Sequence, residues 1–150
     1  MTYYQKYGDP IKEKAMVVYD VPPHLEIGVI PKKIYCNKDL RGPLEKALTN
    51  LVERGHVSEL KTWDGCFNIR PIRGYEQRYF AARKSGDIEA AMDLLSTHAW
   101  GMAIDVNAAW NRLGSKPTLS DGFVACFTDA GFTWGGTFRR KDGMHFEVRL

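Results

Sequence analysis

The chain has 150 residues, of which 44% are hydrophobic and 26% charged, and 21 basic residues against 18 acidic ones give a net charge of +3. These proportions are typical of one globular domain, and a chain of this length buries enough surface to fold around a single core. No stretch contains the roughly 18–20 apolar residues of a membrane helix, and neither a run of five basic residues nor a nucleic-acid module is found. We therefore expect one domain over residues 1–150, a monomer, with no membrane insertion and no nucleic-acid partner.

The chain mixes helical and extended patterns without a β-α-β rhythm. Residues 1–30 are rich in Tyr, Pro and Lys and are predicted to form an irregular arm, with an extended piece at Met16–Tyr19. Helices are predicted at 44–55, 75–84, 87–95 and 120–130, from apolar spacing and from Gly and Ser at their ends. Extended segments are predicted at 66–73, 99–106 and, as two strands around a turn at 141–143, within 135–150. This order predicts an α+β fold, a small domain with a central antiparallel sheet and helices packed on it.

The three cysteines, Cys36, Cys66 and Cys126, are an odd number and form no C-x-x-C pair. This pattern argues against a disulfide framework or a cysteine zinc site and favours buried reduced thiols. Pairing of Cys36 with Cys66 stays open. The first residues, Met1 to Lys6, lack the basic start and apolar run of a secretory signal, so we expect synthesis in the cytoplasm.

Two of the four histidines, His98 and His145, lie in apolar segments that also contain acidic residues. His98 and Asp105 bracket a segment that is otherwise apolar enough to be buried, and His145 begins the last predicted strand. A buried carboxylate is costly unless it is paired or binds a metal, and two histidines with one carboxylate form a common catalytic zinc shell with an open fourth position. Asp142, three residues before His145, would then be the general base.

A purely structural interpretation competes with this one. A single histidine in a strand is commonly a hydrogen-bonded core residue, Asp142-Gly143 is a good turn, and Asp105 can cap the segment 107–110. No local geometric rule makes seven residues a metal-ligand spacing, so spacing alone leaves both interpretations open.

Two sequence motifs favour the zinc site over the purely structural interpretation. Residues 96–105 contain S-x-H-x-x-G-x-A-x-D, and residues 134–136, Trp-Gly-Gly, are followed by D-x-x-H-F-E at 142–147. In this order they resemble the signatures of the zinc D-alanyl-D-alanine carboxypeptidase family, which includes phage L-alanyl-D-glutamate endopeptidases and shares its fold with the hedgehog signalling domain. The similarity extends over about residues 30–148.

The resemblance implies a role for particular side chains. It implies one zinc per chain, held by His98, Asp105 and His145, with Asp142 in the place of the catalytic acidic residue. Arg70 resembles the arginine that faces the substrate or its oxyanion, and Arg73 is the alternative to it. The resemblance and strand alternation assign further residues to the substrate wall or to support of the ligands, namely Ser96, Trp134 and Glu147.

The resemblance thus implies a zinc peptidase that cleaves the peptide stem of peptidoglycan. Among the family's activities we favour an L-alanyl-D-glutamate endopeptidase from a phage endolysin, because no signal sequence is apparent. Such an enzyme waits in the cytoplasm and reaches the host wall through a holin-type lesion, and the chain leaves no room for a separate wall-binding domain. The alternatives are a D-alanyl-D-alanine carboxypeptidase or dipeptidase, and a non-catalytic zinc-binding domain. The segment 75–95 is longer than the family's shorter members suggest, and its role is open: a lid, a wall or scaffold.

Overall fold

The computed structural model describes residues 1–150 and has an α+β fold, as predicted. Two antiparallel sheets are present: a two-stranded sheet β1-β2 and a four-stranded sheet in the order β3-β4-β6-β5. The strands are β1 Met16–Asp20, β2 Lys33–Asn37, β3 Trp63–Gly65, β4 Ala103–Val106, β5 Thr133–Trp134 and β6 His145–Glu147. The helices are α1 Tyr3–Tyr7, α2 Arg41–Glu53, α3 Glu76–Ser85, α4 Ile88–Asp93 and α5 Asp121–Thr128.

Helices α2 and α5 pack against each other, and α5 packs against the four-stranded sheet. The centre of this core is a group of fully buried aromatic rings, in which Phe127 lies 4.5 Å from Phe146 between centroids. Ser120 begins α5 as predicted, since its side chain accepts a hydrogen bond from the Phe123 N–H. No helix has the length and the apolar character needed to span a bilayer. All three cysteines are buried and unpaired, so Cys36 and Cys66 are not joined.

The prediction of an irregular arm over residues 1–30 is wrong in part. Residues 3–7 form α1, whose first turn is closed by a capping box between Thr2 and Gln5. Tyr7 is buried in the core, and β1 covers the extended piece predicted at Met16–Tyr19. The many Tyr residues of this segment therefore contribute to packing.

The predicted strand at 99–106 begins later than expected. Residues 97–100 form a 3₁₀ turn, and Gly101 ends it with φ +66°. A Cβ at Gly101 would lie 2.7 Å from the backbone nitrogen of Asn37, so this close approach needs glycine. The chain then enters β4 at Ala103, and the turn holds His98 above the end of the sheet.

Two other extended predictions are shorter in the structure. Within 66–73 only Pro71 makes a ladder contact, an isolated bridge to Leu95. A loop, and not the predicted strand pair, connects β5 to β6. The Trp134 indole N–H donates to the Gly143 carbonyl at 2.8 Å and so holds the two ends of this loop together. This loop places Asp142 beside the end of β6.

Candidate metal centre

Three side chains converge where β4 and β6 meet the 3₁₀ turn. Asp105 and His145 are directly opposite partners in the antiparallel pair β4-β6, so their side chains lie on the same face. His98 Nε2 lies 3.1 Å from Asp105 Oδ2 and 3.2 Å from His145 Nδ1, and His145 Nδ1 lies 3.3 Å from Asp105 Oδ1. The candidate ligand atoms all lie within 4.8 Å of one another.

The outer nitrogen of each histidine has its own acceptor. His98 Nδ1 lies 2.6 Å from the carbonyl oxygen of Cys66, which only accepts, so this nitrogen carries the proton. His145 Nε2 lies 2.7 Å from Glu147 Oε1, and the Thr97 hydroxyl approaches both of these groups at 3.4 Å. Such partners fix the tautomer of a metal-binding histidine.

With these tautomers, the three inner atoms are all acceptors. The lone pairs of His98 Nε2 and His145 Nδ1 face the carboxylate of Asp105, and its buried Oδ1 has no hydrogen-bond partner. Acceptors that converge without a donor need a cation, and nitrogen and carboxylate oxygen are preferred ligands of zinc. The residues present therefore fit one zinc ion.

In the metal-free protein, Asp105 and His145 shift each other's pKa strongly. Burial raises the pKa of Asp105, but the adjacent imidazoles of His145 and His98 outweigh it and hold that pKa well below its usual range. Burial lowers the pKa of His145, but Asp105 and Glu147 outweigh this and raise it to about 9. In the metal-free protein a proton on His145 thus takes the place of the cation, and a bound metal would have to displace it.

Asp142 lies in the cleft beside His145. Its N–H donates to the Gly135 carbonyl at 2.9 Å, and a Cβ on Gly135 would lie 2.4 Å from the carbonyl oxygen of Asp142. Burial raises the pKa of Asp142 and the charge of Asp105 adds to this, whereas His145 and Arg70 oppose it. A carboxylate with a raised pKa is a better proton acceptor near neutral pH.

The cleft has a volume of about 940 Å³ and contains most of the other candidate residues. Arg70, Arg73 and Ser96 line it, and Ser96 also accepts a hydrogen bond from the His98 N–H. Glu147 lines it and orients His145. Trp134 does not line it: its ring stacks near Phe146 and its indole N–H holds the loop that carries Asp142.

The alternative structural role for Asp105 is not observed. The Ala108 N–H at the start of the segment 107–110 is accepted by Asp64 Oδ2 at 2.8 Å. Asp105 points instead to the two histidines.

Several residues of the site were missed by the sequence analysis. Thr97 precedes His98 inside the first motif, and the basic run at 139–141 precedes Asp142, so both were visible as neighbours of motif residues. The role of the Cys66 carbonyl oxygen as the partner of His98 could not be predicted from the sequence, because every residue has the same main-chain group.

Residues 90–148 match a family model described as D-alanyl-D-alanine carboxypeptidase. This part of the chain is similar to that family. The matched segment contains both motifs and with them His98, Asp105, Asp142 and His145, whereas Arg70 and Arg73 lie outside it. No curated protein and no solved structure matches the chain. At family level the match supports a hydrolase that acts on peptidoglycan peptides.

Proposed function

We propose that the protein is a zinc-dependent endopeptidase that cleaves the L-Ala–D-Glu bond of the peptidoglycan stem. The observation that carries the proposal is the convergence of His98 Nε2, His145 Nδ1 and Asp105 as three acceptors, with His145 and Asp142 lining the adjacent cleft. When bound, zinc lowers the pKa of a water and polarises the scissile carbonyl. Asp142 takes a proton from the nucleophile and passes it to the leaving amine, and Arg70 stabilises the oxyanion.

The shape of the cleft favours an endopeptidase over a carboxypeptidase. A second cavity of about 450 Å³ lies beside the first, and both are lined by Leu95, Thr97 and Glu147. The two cavities therefore adjoin at Glu147, the partner of His145, where a peptide that extends on both sides of the scissile bond would need space. Of the connection 75–95, Tyr75 and Leu95 line the first cavity and Met92, Asp93 and Leu95 line the second, whereas α3 lines neither and so does not close the cleft.

Digestion of purified peptidoglycan tests this proposal. We expect new N-terminal D-Glu on the released peptides, with L-Ala left on the glycan, when the products are identified by mass spectrometry. Release of free D-Ala with the L-Ala–D-Glu bond intact would assign the carboxypeptidase activity instead. Binding of zinc with no cleavage of any stem bond would assign a non-catalytic zinc domain.

The setting of a phage endolysin is also part of this proposal and is supported by the family resemblance. Expression in a bacterial cytoplasm should be harmless until a holin-type lesion opens the membrane, after which the cells should lyse. Lysis that occurs equally without the lesion would contradict this setting.

A further inference from the structure

The cleft in front of the metal centre is strongly basic. Eight charged side chains line it besides His145, six of them basic and two acidic: Arg70, Arg73, Arg139, Arg140, Lys141 and Arg149, with Asp142 and Glu147. The net charge of the whole chain is only +3. The positive charge is therefore concentrated on this one surface, where it acts on whatever enters the cleft.

Most of these basic side chains have no ion-pair partner. Only Arg149 lies within 4 Å of a carboxylate, that of Glu147 at 2.9 Å. We call the other five, Arg70, Arg73, Arg139, Arg140 and Lys141, the basic wall. Cations that are left unpaired around a cleft are available to an anionic ligand.

The basic wall comes from two segments that lie close together. Arg70 and Arg73 follow β3, whereas Arg139, Arg140 and Lys141 lie in the loop before β6, and all five line the same cleft. The pKa of Glu76 is lowered, first by backbone N–H groups and then by the charges of Arg73 and Arg140. Glu76 itself does not line the cleft.

The backbone of both segments is anchored. The Arg70 carbonyl accepts from the Ser96 N–H at 2.9 Å, and the Lys141 carbonyl accepts from the Gly114 N–H at 2.6 Å. The basic wall therefore combines a fixed main chain with exposed side-chain ends, which lowers the ordering cost of binding.

We propose that the basic wall selects stem peptides whose third residue, a diamino acid, carries a free carboxylate over those with lysine at that position. This inference rests on the proposed function, in which the third residue lies two positions beyond the scissile bond. A carboxylate there pairs with an arginine in a two-pronged hydrogen bond. Lysine offers only an ammonium, which the basic wall repels, whereas the diamino acid adds a carboxylate that offsets its ammonium and pairs with the wall.

Three stem peptides of equal length test the proposal: one with the free carboxylate, one with that carboxylate amidated and one with lysine. We expect kcat/KM to be at least about tenfold higher for the free carboxylate, the size of effect that a hydrogen-bonded charge gives. The double variant Arg139→Gln/Arg140→Gln should reduce this preference to less than about threefold, since both side chains are exposed and their loss leaves the fold intact. The matched control Arg83→Gln/Lys84→Gln removes two exposed cations of α3 that do not line the cleft, and it should keep the full preference.

Binding to metal-depleted protein separates this inference from the proposed function. If no peptide is cleaved, the proposed function fails, but tighter binding of the free-carboxylate peptide, lost in Arg139→Gln/Arg140→Gln, still supports the selection by the basic wall. Equal kcat/KM and equal binding for the three peptides overturn it. Equal binding together with retention of a phosphate-rich wall polymer also overturns it and assigns the surface to attachment.

Discussion

At the scale of single residues, His98 and Asp142 have different surroundings, so their substitution should have different effects on zinc content and activity. His98 is one of three converging acceptors, so His98→Ala should lose zinc and activity together. Asp142 is not in that cluster, so Asp142→Asn should keep zinc and fold but lose about 10²- to 10⁴-fold in rate, the usual value of general acid–base catalysis. Metal analysis and rate measurements on the same preparations check both expectations.

His98→Ala and Asp142→Asn serve as controls for each other. Full zinc content in His98→Ala would remove His98 from the ligand set. A rate above about a third of that of the unchanged protein in Asp142→Asn would make Asp142 a turn residue, because a lost general base costs far more.

Glu147 should act on zinc through His145. Its Oε1 accepts the His145 Nε2 proton at 2.7 Å, and Arg149 holds its other oxygen at 2.9 Å. Removal of such a partner typically weakens metal binding by about 10- to 100-fold. We expect Glu147→Ala to raise the zinc dissociation constant by this factor, measured by competition with a chelator.

Rescue distinguishes orientation from bulk packing at this position. Glu147→Gln keeps an acceptor oxygen of the same reach and should recover part of the zinc affinity that Glu147→Ala loses. Equal affinities for the two variants would mean that the hydrogen bond to His145 contributes nothing.

At the scale of elements, the short helix α1 links the two segments that carry the histidines. The Tyr3 hydroxyl donates to the Val148 carbonyl just after β6 at 2.8 Å, and its ring stacks on Trp100, two residues after His98. Tyr3→Phe should lower the free energy of unfolding by about 1 kcal/mol, the usual value of one hydrogen bond. Tyr3→Ala should lower it by about 2 kcal/mol or more, because the ring contact is lost as well.

Denaturant unfolding of both variants checks this order. The control is Ile11→Ala, an exposed residue of the next turn, which should change the unfolding free energy by less than about 0.5 kcal/mol. No difference between Tyr3→Phe and the unchanged protein would show that water replaces the hydroxyl.

Elements with strong periodic patterns were predictable from the sequence, and those decided by tertiary contacts were not. The helices α2, α4 and α5 follow apolar spacing within a few residues of the prediction, whereas α3 has no buried residue and is marked mainly by the glycine that ends it. Helix α1 was missed because five residues carry too little periodicity, and the loop before β6 was predicted as strand because its cause is the single bond from Trp134 to Gly143. The sequence motifs indicated His98, Asp105 and His145, but the hydrogen bonds that fix their tautomers required the structure.

At the scale of the whole molecule, the stability of the metal-free protein should depend on pH through His145. Its pKa is about 9 in the folded protein, raised from 6.5, so its charged form stabilises the fold fully below pH 6.5. This contribution, up to about 3 kcal/mol for a shift of that size, is lost as the pH rises from 6.5 through 9. The pKa values of Asp105 and Glu147 are lowered, so both carboxylates stay ionised throughout this range.

Zinc should remove this pH dependence, because a ligand nitrogen must be deprotonated and binding below pH 9 displaces the His145 proton. The difference in melting temperature between zinc-bound and metal-free protein should therefore grow as the pH rises from 6.5 to 9. Thermal unfolding with saturating zinc and with chelator measures both curves, and His145→Ala serves as the control in which the metal-free curve flattens over that range. Parallel curves for the two forms of the unchanged protein would mean that zinc displaces no proton, and His145 would then not be a ligand.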